Sequence, residues 1–205
     1  YDISSLRLIP YGASPMPDAV LQKAKQTMPG VRLLHVYGMT EASPIVTSMD
    51  RHQPEPTGRR AQSCGLPALL VDVRIADAND VELPRGTVGE VQIRGPNIML
   101  GYWNLPDASA AALRDGWYHS GDGGTMDEDG YVYIVDRFKD MIISGGENIY
   151  SAEVESAIST LDGVAEVAVI GIPDEIWGEA VHAIVVPRPG RKITPDAVIA
   201  HCRTL

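Results

Sequence analysis

Leu6-Arg-Leu-Ile-Pro-Tyr11, Pro17–Met28 and Val31-Arg-Leu-Leu-His-Val-Tyr37 read as strand, helix and strand. Apolar residues fill the two short runs, and Val20, Leu21, Ala24 and Met28 recur at helical spacing between them. Pro29-Gly30 ends the helix and Gly38 breaks the second strand. Two strands joined by one helix pair in parallel, and open α/β sheets bind ligands in loops at the carboxyl ends of their strands. Gly12-Ala-Ser-Pro15 and Gly38–Ser43 fall in such loops.

Beyond this βαβ piece the pattern changes. Leu69–Ile75, Val88–Arg94 and Tyr131–Val135 are short strand-like runs, separated by turns at Pro84-Arg-Gly86, Gly95-Pro96 and Glu128-Asp-Gly130. Their spacing predicts a small β-barrel-like or sandwich subdomain. From Met141 the α/β character returns: Met141–Ser144, Val164–Ile172 and Glu179–Val186 read as strands and Ser151–Leu161 as a helix. Ser151 is the expected cap of that helix, with Glu153 in its first turn. Thr194-Pro195 opens a last helix, which the pattern carries to Leu205. The expected fold is therefore α/β, then a β-barrel-like subdomain, a hinge and a small α+β C-terminal domain. Asp136–Asp140 is the expected boundary, giving a large-domain part over 1–136 (1–49 and 50–136) and a small mobile domain over 137–205.

Composition bounds the function. The chain has 205 residues, with 17 Lys+Arg against 27 Asp+Glu and a net charge of −10, so a nucleic-acid partner held by phosphate neutralisation is not expected. At 44% hydrophobic residues it has enough apolar side chain for a folded core. Two distant cysteines, Cys64 and Cys202, suit a reducing cytoplasm better than a disulfide framework. No transmembrane segment or signal peptide is read; the apolar run Ala180–Val186 is strand-length and contains His182. The chain opens at Tyr1 and its last helix carries no stop signal, which reads as a piece of a longer polypeptide.

Four segments could carry chemistry. Tyr37-Gly-Met-Thr-Glu41 puts an aromatic face, a hydroxyl and a carboxylate at a strand end, groups suited to a base, a phosphate and Mg²⁺. Trp117-Tyr-His-Ser-Gly-Asp122 offers Asp122 to a ribose diol, against the plainer reading of a turn aspartate; Ser120 lacks the Gly-x-Ser-x-Gly setting of a hydrolase nucleophile. Thr125–Asp136 faintly matches a calcium loop, but a hairpin turn at Asp129-Gly130 accounts for it better. Asp136–Tyr150 crowds charges at the domain boundary and then places Gly145-Gly146 where the backbone could approach a ligand closely.

Taken together, Tyr37-Gly-Met-Thr-Glu41, Gly89-Glu-Val-Gln-Ile-Arg-Gly95 with Gly101-Tyr102, Tyr118-His-Ser-Gly-Asp122, Asp136-Arg-Phe-Lys-Asp140 and Ile143-Ser-Gly-Gly-Glu-Asn-Ile149 resemble the acyl-adenylate-forming superfamily over essentially the whole chain. That superfamily includes acyl-CoA synthetases, peptide-synthetase adenylation domains and firefly-type luciferases. The resemblance implies activation of a carboxylic acid, here a fatty acid, as acyl–AMP with ATP and Mg²⁺, then transfer to CoA. It implies that Gly12, Ala13, Ser14, Tyr37, Gly38 and Met39 wall the nucleotide and acyl pocket, and that Thr40 contacts phosphate. It assigns Mg²⁺ to Glu41, the ribose hydroxyls to Asp122 with Arg137 assisting, the hinge to Lys139, and the CoA-facing loop to Gly145, Gly146 and Glu147.

The family's Pro-Lys-Gly phosphate loop and its C-terminal Gly-Lys lysine do not occur in this chain, and His35 and Ser120 stand where relatives often carry Gln and Thr. The chain alone is therefore expected to be inactive. Its uncovered apolar runs, Leu6–Ile9 and Leu33–Val36, would favour self-association. The alternatives are an adenylation domain loading a carrier protein and a non-catalytic nucleotide-binding or interaction module. The acid itself is not legible.

Overall fold

A computed structural model describes residues 2–13, 16, 18–49 and 58–204, so the Ser14 assignment lies outside the described residues. In chain order the elements are β1 (Leu8–Tyr11), α1 (Asp18–Thr27), β2 (Arg32–Tyr37), β3 (Thr47–Ser48), β4 (Leu66–Pro67), β5 (Asp72–Ala76), β6 (Gly89–Arg94), α2 (Pro106–Ala112), β7 (Leu113–Arg114), β8 (Trp117–Met126) and β9 (Val132–Arg137). They continue with β10 (Ile142–Ser144), β11 (Glu147–Ile149), α3 (Ser151–Ser159), β12 (Val164–Asp174), β13 (Gly178–Pro187) and α4 (Pro195–Cys202). Short 3₁₀ turns occupy Thr40–Ala42 and Gly58–Gln62. The chain divides into two compact units, Tyr1–Ser14 with Thr27–Ile134, and Pro15–Gln26 with Val135–Leu205.

In the first unit β1 pairs in parallel with β2, Leu8 opposite Arg32 and Tyr11 opposite His35, as the opening run predicts. β3 and β4 extend this sheet in antiparallel fashion. The expected β-rich region is a five-stranded sheet in the order β5-β6-β8-β7, with β9 on β8. Val91, Ile93 and Ile75 alternate inward with Tyr118, Met126 and Val132 to form one core with Val46 and Cys64. The Cys64 amide donates to the Val132 carbonyl at 2.9 Å, tying the segment before β4 to β9. β8 and β9 form the expected hairpin: Asp127 Oδ1 accepts the amides of Asp129 and Tyr131 at 3.1 and 2.9 Å, an Asx turn rather than a calcium loop.

The second unit carries an antiparallel sheet in the order β11-β10-β13-β12. Val167, Val169, Ala183 and Val185 line the face that packs with Ile142, Ile158 and Val198. Thr194 caps α4 as expected, its hydroxyl accepting the Ala197 amide at 3.3 Å.

Several expectations are corrected. Val20 is exposed while its neighbour Leu21 is buried, because consecutive helical residues point about 100° apart. Leu69 and Leu70 precede the strand; Leu70 sits in a turn at φ 66°, and β5 starts only at Asp72. The plainer turn reading of Asp122 does not hold, because Trp117–Asp122 lies within the ten-residue strand β8. Asp136 and Arg137 complete β9 instead of forming a linker. Ser151 is the first helical residue of α3, not its cap; its hydroxyl donates to Asp136 Oδ2 at 2.8 Å. The last helix ends at Cys202.

Candidate nucleotide site

β2 and β8 bring together two segments far apart in sequence. The Tyr37 hydroxyl donates to Asp122 Oδ2 at 2.7 Å, across 85 residues. Asp122 is buried, with 6% exposure. Burial, reinforced by the adjacent Asp122 charge, pushes the Tyr37 phenol far above its ordinary range. This favours the protonated phenol, the donor in the bond to Asp122.

Asp122 reaches this position through a bulge. On β6 Glu90 pairs with Gly123 and Gln92 with His119, so Val91 alone faces Ser120, Gly121 and Asp122. Gly121 takes φ 71° there, a left-handed conformation that glycine adopts without penalty. Ser120 Oγ donates to the Val91 carbonyl at 2.6 Å and accepts the Asp122 amide at 3.1 Å.

A second cluster surrounds Glu41. Thr40 and Glu41 open the 3₁₀ turn after β2, with Thr40 exposed and Glu41 half-buried. The Tyr102 hydroxyl donates to Glu41 Oε1 at 2.9 Å. Burial first, and then the Glu41 charge, push the Tyr118 phenol upward; burial and its bond to Glu41 do the same for Tyr102. The Met99 amide donates to the Glu41 carbonyl at 2.8 Å, fixing the turn to the loop that carries Tyr102. A carboxylate with hydroxyls beside it is a hard oxygen set that, completed by phosphate oxygens and water, suits Mg²⁺. The residues present fit that ion.

The flanking glycines have packing reasons. A Cβ on Gly12 would overlap the Val36 carbonyl oxygen, and one on Gly38 would overlap that of Pro44. The backbone of the protein itself occupies the space on the Cβ side of both. Ala13 adopts φ 70°, an uncommon left-handed conformation for a residue with a side chain. Met39 packs half-buried against the first-unit core. His35 stacks on Tyr11 with ring centroids 4.7 Å apart.

The remaining assigned residues belong to the second unit. The Arg137 amide donates to Asp136 Oδ1 at 2.8 Å, and the Arg137 carbonyl accepts the amides of Asp140 and Met141, turning the chain at an exposed Lys139. Gly145 and Gly146, at φ 60° and 86°, form a two-residue turn between β10 and β11, with Ser144 paired to Glu147. Positive φ at both central positions is the requirement of a type I′ hairpin. Gly145 packs beneath the Trp177 ring and its amide donates to the Trp177 carbonyl at 2.8 Å, whereas nothing lies within 4 Å of where a Gly146 Cβ would be.

Sequence reasoning missed Tyr102 as the partner of Glu41, and Glu90 and His119 as neighbours of the Asp122 bulge. Gly101-Tyr102 and Gly89-Glu90 were visible as motif words, but their pairing depends on tertiary contacts.

Comparison with known proteins identifies the family. The family described as "AMP-binding enzyme" matches residues 1–103, and "AMP-binding enzyme C-terminal domain" matches residues 153–205. A feruloyl-CoA synthase of an Amycolatopsis species is 48% identical over 204 residues, which is 99% of this chain and 40% of that protein. A long-chain-fatty-acid–CoA ligase of Yersinia pestis is 46% identical over 98% of this chain and 35% of its own length. The crystal structure of ATP-bound MatB from Rhodopseudomonas palustris aligns with a TM-score of 0.87 at 36% identity, over 98% of this chain and 39% of that one. The chain thus spans about two-fifths of the first of these relatives. With both family segments matched, the chain belongs to the AMP-binding enzyme family.

Proposed function

We propose that this chain supplies the nucleotide-binding and CoA-facing part of an ATP-dependent acid:CoA ligase. The observation that carries the reading is the Tyr37–Asp122 hydrogen bond at 2.7 Å, which joins the adenine-facing and ribose-facing segments. Tyr37 offers its ring to the base and Asp122 its carboxylate to the ribose hydroxyls, with Arg137 assisting. Gly12 and Ala13 wall the pocket with Gly38 and Met39. Thr40 donates to phosphate, and Glu41, oriented by Tyr102, would hold Mg²⁺. When bound, that ion neutralises charge on the reacting phosphate.

Lys139 is the hinge about which a small domain, 137–205, reorients. Gly145, Gly146 and Glu147 then face the CoA thiol. Attack of a carboxylate and attack of a thiol need different surroundings, which a moving domain supplies. We take the acid to be a fatty acid, with an aryl acid as the alternative: Ala13 and Met39 are small or flexible and suit either. The chain alone is inactive in this reading, since one missing transition-state donor already costs about 2.7–4 kcal/mol.

The test is pyrophosphate release by the full-length ligase containing this segment, with palmitate, ferulate and indoleacetate, and with CoA or a carrier protein as acceptor. Acid-dependent release with thioester formation on CoA is expected, fastest with palmitate. Release without transfer to CoA would sink the ligase assignment, and preference for ferulate would overturn the fatty-acid reading.

A further inference from the structure

The outer face of the β5-β6-β8-β7 sheet carries a polar network that no part of the assigned chemistry uses. Glu90 sits at its centre. Its Oε1 accepts the Gly121 amide at 3.1 Å, inside the bulge that presents Asp122. Its Oε2 lies 2.8 Å from His119 Nδ1 and accepts Gln92 Nε2 at 3.2 Å. Gln92 is fully buried and also donates to Asp80 Oδ1 at 2.7 Å, while its own Oε1 accepts Arg74 Nε at 2.8 Å. Asp80, Glu90 and His119 have the composition of a three-ligand metal cluster. However, Arg114 Nη2 lies 2.7 Å from His119 Nδ1 and 3.6 Å from Asp80, so a guanidinium already supplies the positive charge.

Such a network holds the one stretch of β8 that regular pairing cannot. Across the bulge the ladder between Glu90 and Gln92 is broken, and the Gly121 amide finds its acceptor in a side chain. Ser120 fixes Asp122 locally, and Glu90 fixes the two residues on either side of Ser120 at once. His119 Nε2 makes no hydrogen bond among the described residues, so it is the Glu90 carboxylate, bonded through both oxygens, that holds this backbone to one geometry.

We propose that Glu90 is a positioning residue for nucleotide binding: both oxygens of its carboxylate clamp the His119–Gly121 bulge, setting where Asp122 meets the ribose. The proposal rests on the ribose role of Asp122 given above. Glu90 touches no nucleotide and acts through the strand.

The test measures KM and kcat of the full-length ligase containing this segment, with ATP, 2′-deoxy-ATP and 3′-deoxy-ATP. For Glu90→Ala the ATP KM should rise about tenfold, the scale of one weakened charge-assisted hydrogen bond, with kcat little changed. Preference for ATP over the deoxynucleotides should fall by a similar factor. Glu90→Gln keeps an acceptor for the Gly121 amide and should restore most of that preference. If Glu90→Ala does not fold, Glu90→Asp serves: one methylene shorter, it cannot span Gly121 and His119 together and should show the same loss in part. Reduced stability with an unchanged preference would overturn the proposal. Asp122→Ala separates the two readings: if it abolishes the preference while the Glu90 variants do not, only the positioning role fails. If it leaves the preference intact, the ribose assignment fails and the positioning role with it.

Discussion

The Asp136 carboxylate at the end of β9 accepts the Ser151 hydroxyl at 2.8 Å, and its Oδ2 lies 3.4 Å from the Ala152 amide. It does for α3 what a capping side chain does, from 15 residues upstream. Tyr150, in the N-cap position itself, makes no side-chain cap bond. Asp136 therefore satisfies a helix N-terminus that no local residue serves.

Replacing Asp136 should cost the second unit about 1 kcal/mol, the usual worth of a cap. Asp136→Ala is expected to lower the urea midpoint of that unit, with Asp136→Asn closer to wild type because it retains an acceptor. Equal stability of Asp136→Ala and wild type would show that the cap contributes nothing.

The two glycine sites respond to different physics. At Gly38 the added Cβ of alanine would overlap the Pro44 carbonyl oxygen, so backbone must move. Gly38→Ala should destabilise the first unit by about 3 kcal/mol or more, at the upper end of overpacking costs. Gly146→Ala meets open space and carries only the cost of φ 86°, about 1–2 kcal/mol for an L-residue. Thermal melts of the two variants check the order; a Gly38→Ala protein as stable as Gly146→Ala would contradict it.

These cases show what the sequence made legible. The βαβ piece and the strands of the last unit were readable because apolar periodicity is local. β8 was not: Gly121, Asp122, Gly123 and Gly124 are poor strand formers, and β8 is built by pairing with β6, β7 and β9 around a bulge at 120–122. β11 is three residues long and too short to show a pattern; Gly145-Gly146 was read as a ligand approach when it first makes a hairpin turn. That Gly12 and Gly38 each face a carbonyl oxygen on the side where a Cβ would stand is a tertiary packing fact the sequence did not show. Tyr37 and Asp122 were chosen for their chemistry, and the fold brings them into contact. Partners such as Tyr102 for Glu41 or Asp136 for α3 depend on distances between elements, which one sequence does not encode locally.

His35 gives the first unit a pH-dependent stability. Burial lowers its pKa, against the opposing bond between Nδ1 and the Ser63 carbonyl at 2.9 Å. The folded state thus favours the neutral ring, and the unfolded chain binds its proton at a higher pH. The contribution is complete above the unfolded value, about 6.5, and is lost as pH falls through the lower folded value. The melting temperature of wild type should drop between about pH 7 and pH 5 more steeply than that of His35→Phe, which keeps a ring against Tyr11 and cannot titrate. Parallel slopes would show that His35 is not the linked group.

Lys139 tests the proposed hinge. The Arg137 carbonyl accepts the amides of Asp140 and Met141, both at 3.0 Å, so the turn around Lys139 does not depend on a bond from residue 139 to hold it closed. Lys139→Pro leaves those two bonds available but fixes φ near −65° and biases Phe138 away from helical geometry. If the small domain must adopt two orientations, proline should allow one and exclude the other. Acid-dependent pyrophosphate exchange reports adenylation, and transfer from preformed acyl–AMP to CoA reports the thioester step. One of these should survive within about threefold while the other falls by a hundredfold or more, a difference of about 2.7 kcal/mol in barrier. Lys139→Ala, which leaves φ free, should affect neither half-reaction in this selective way. Equal loss of both in Lys139→Pro, in a protein that melts like wild type, would place the hinge elsewhere.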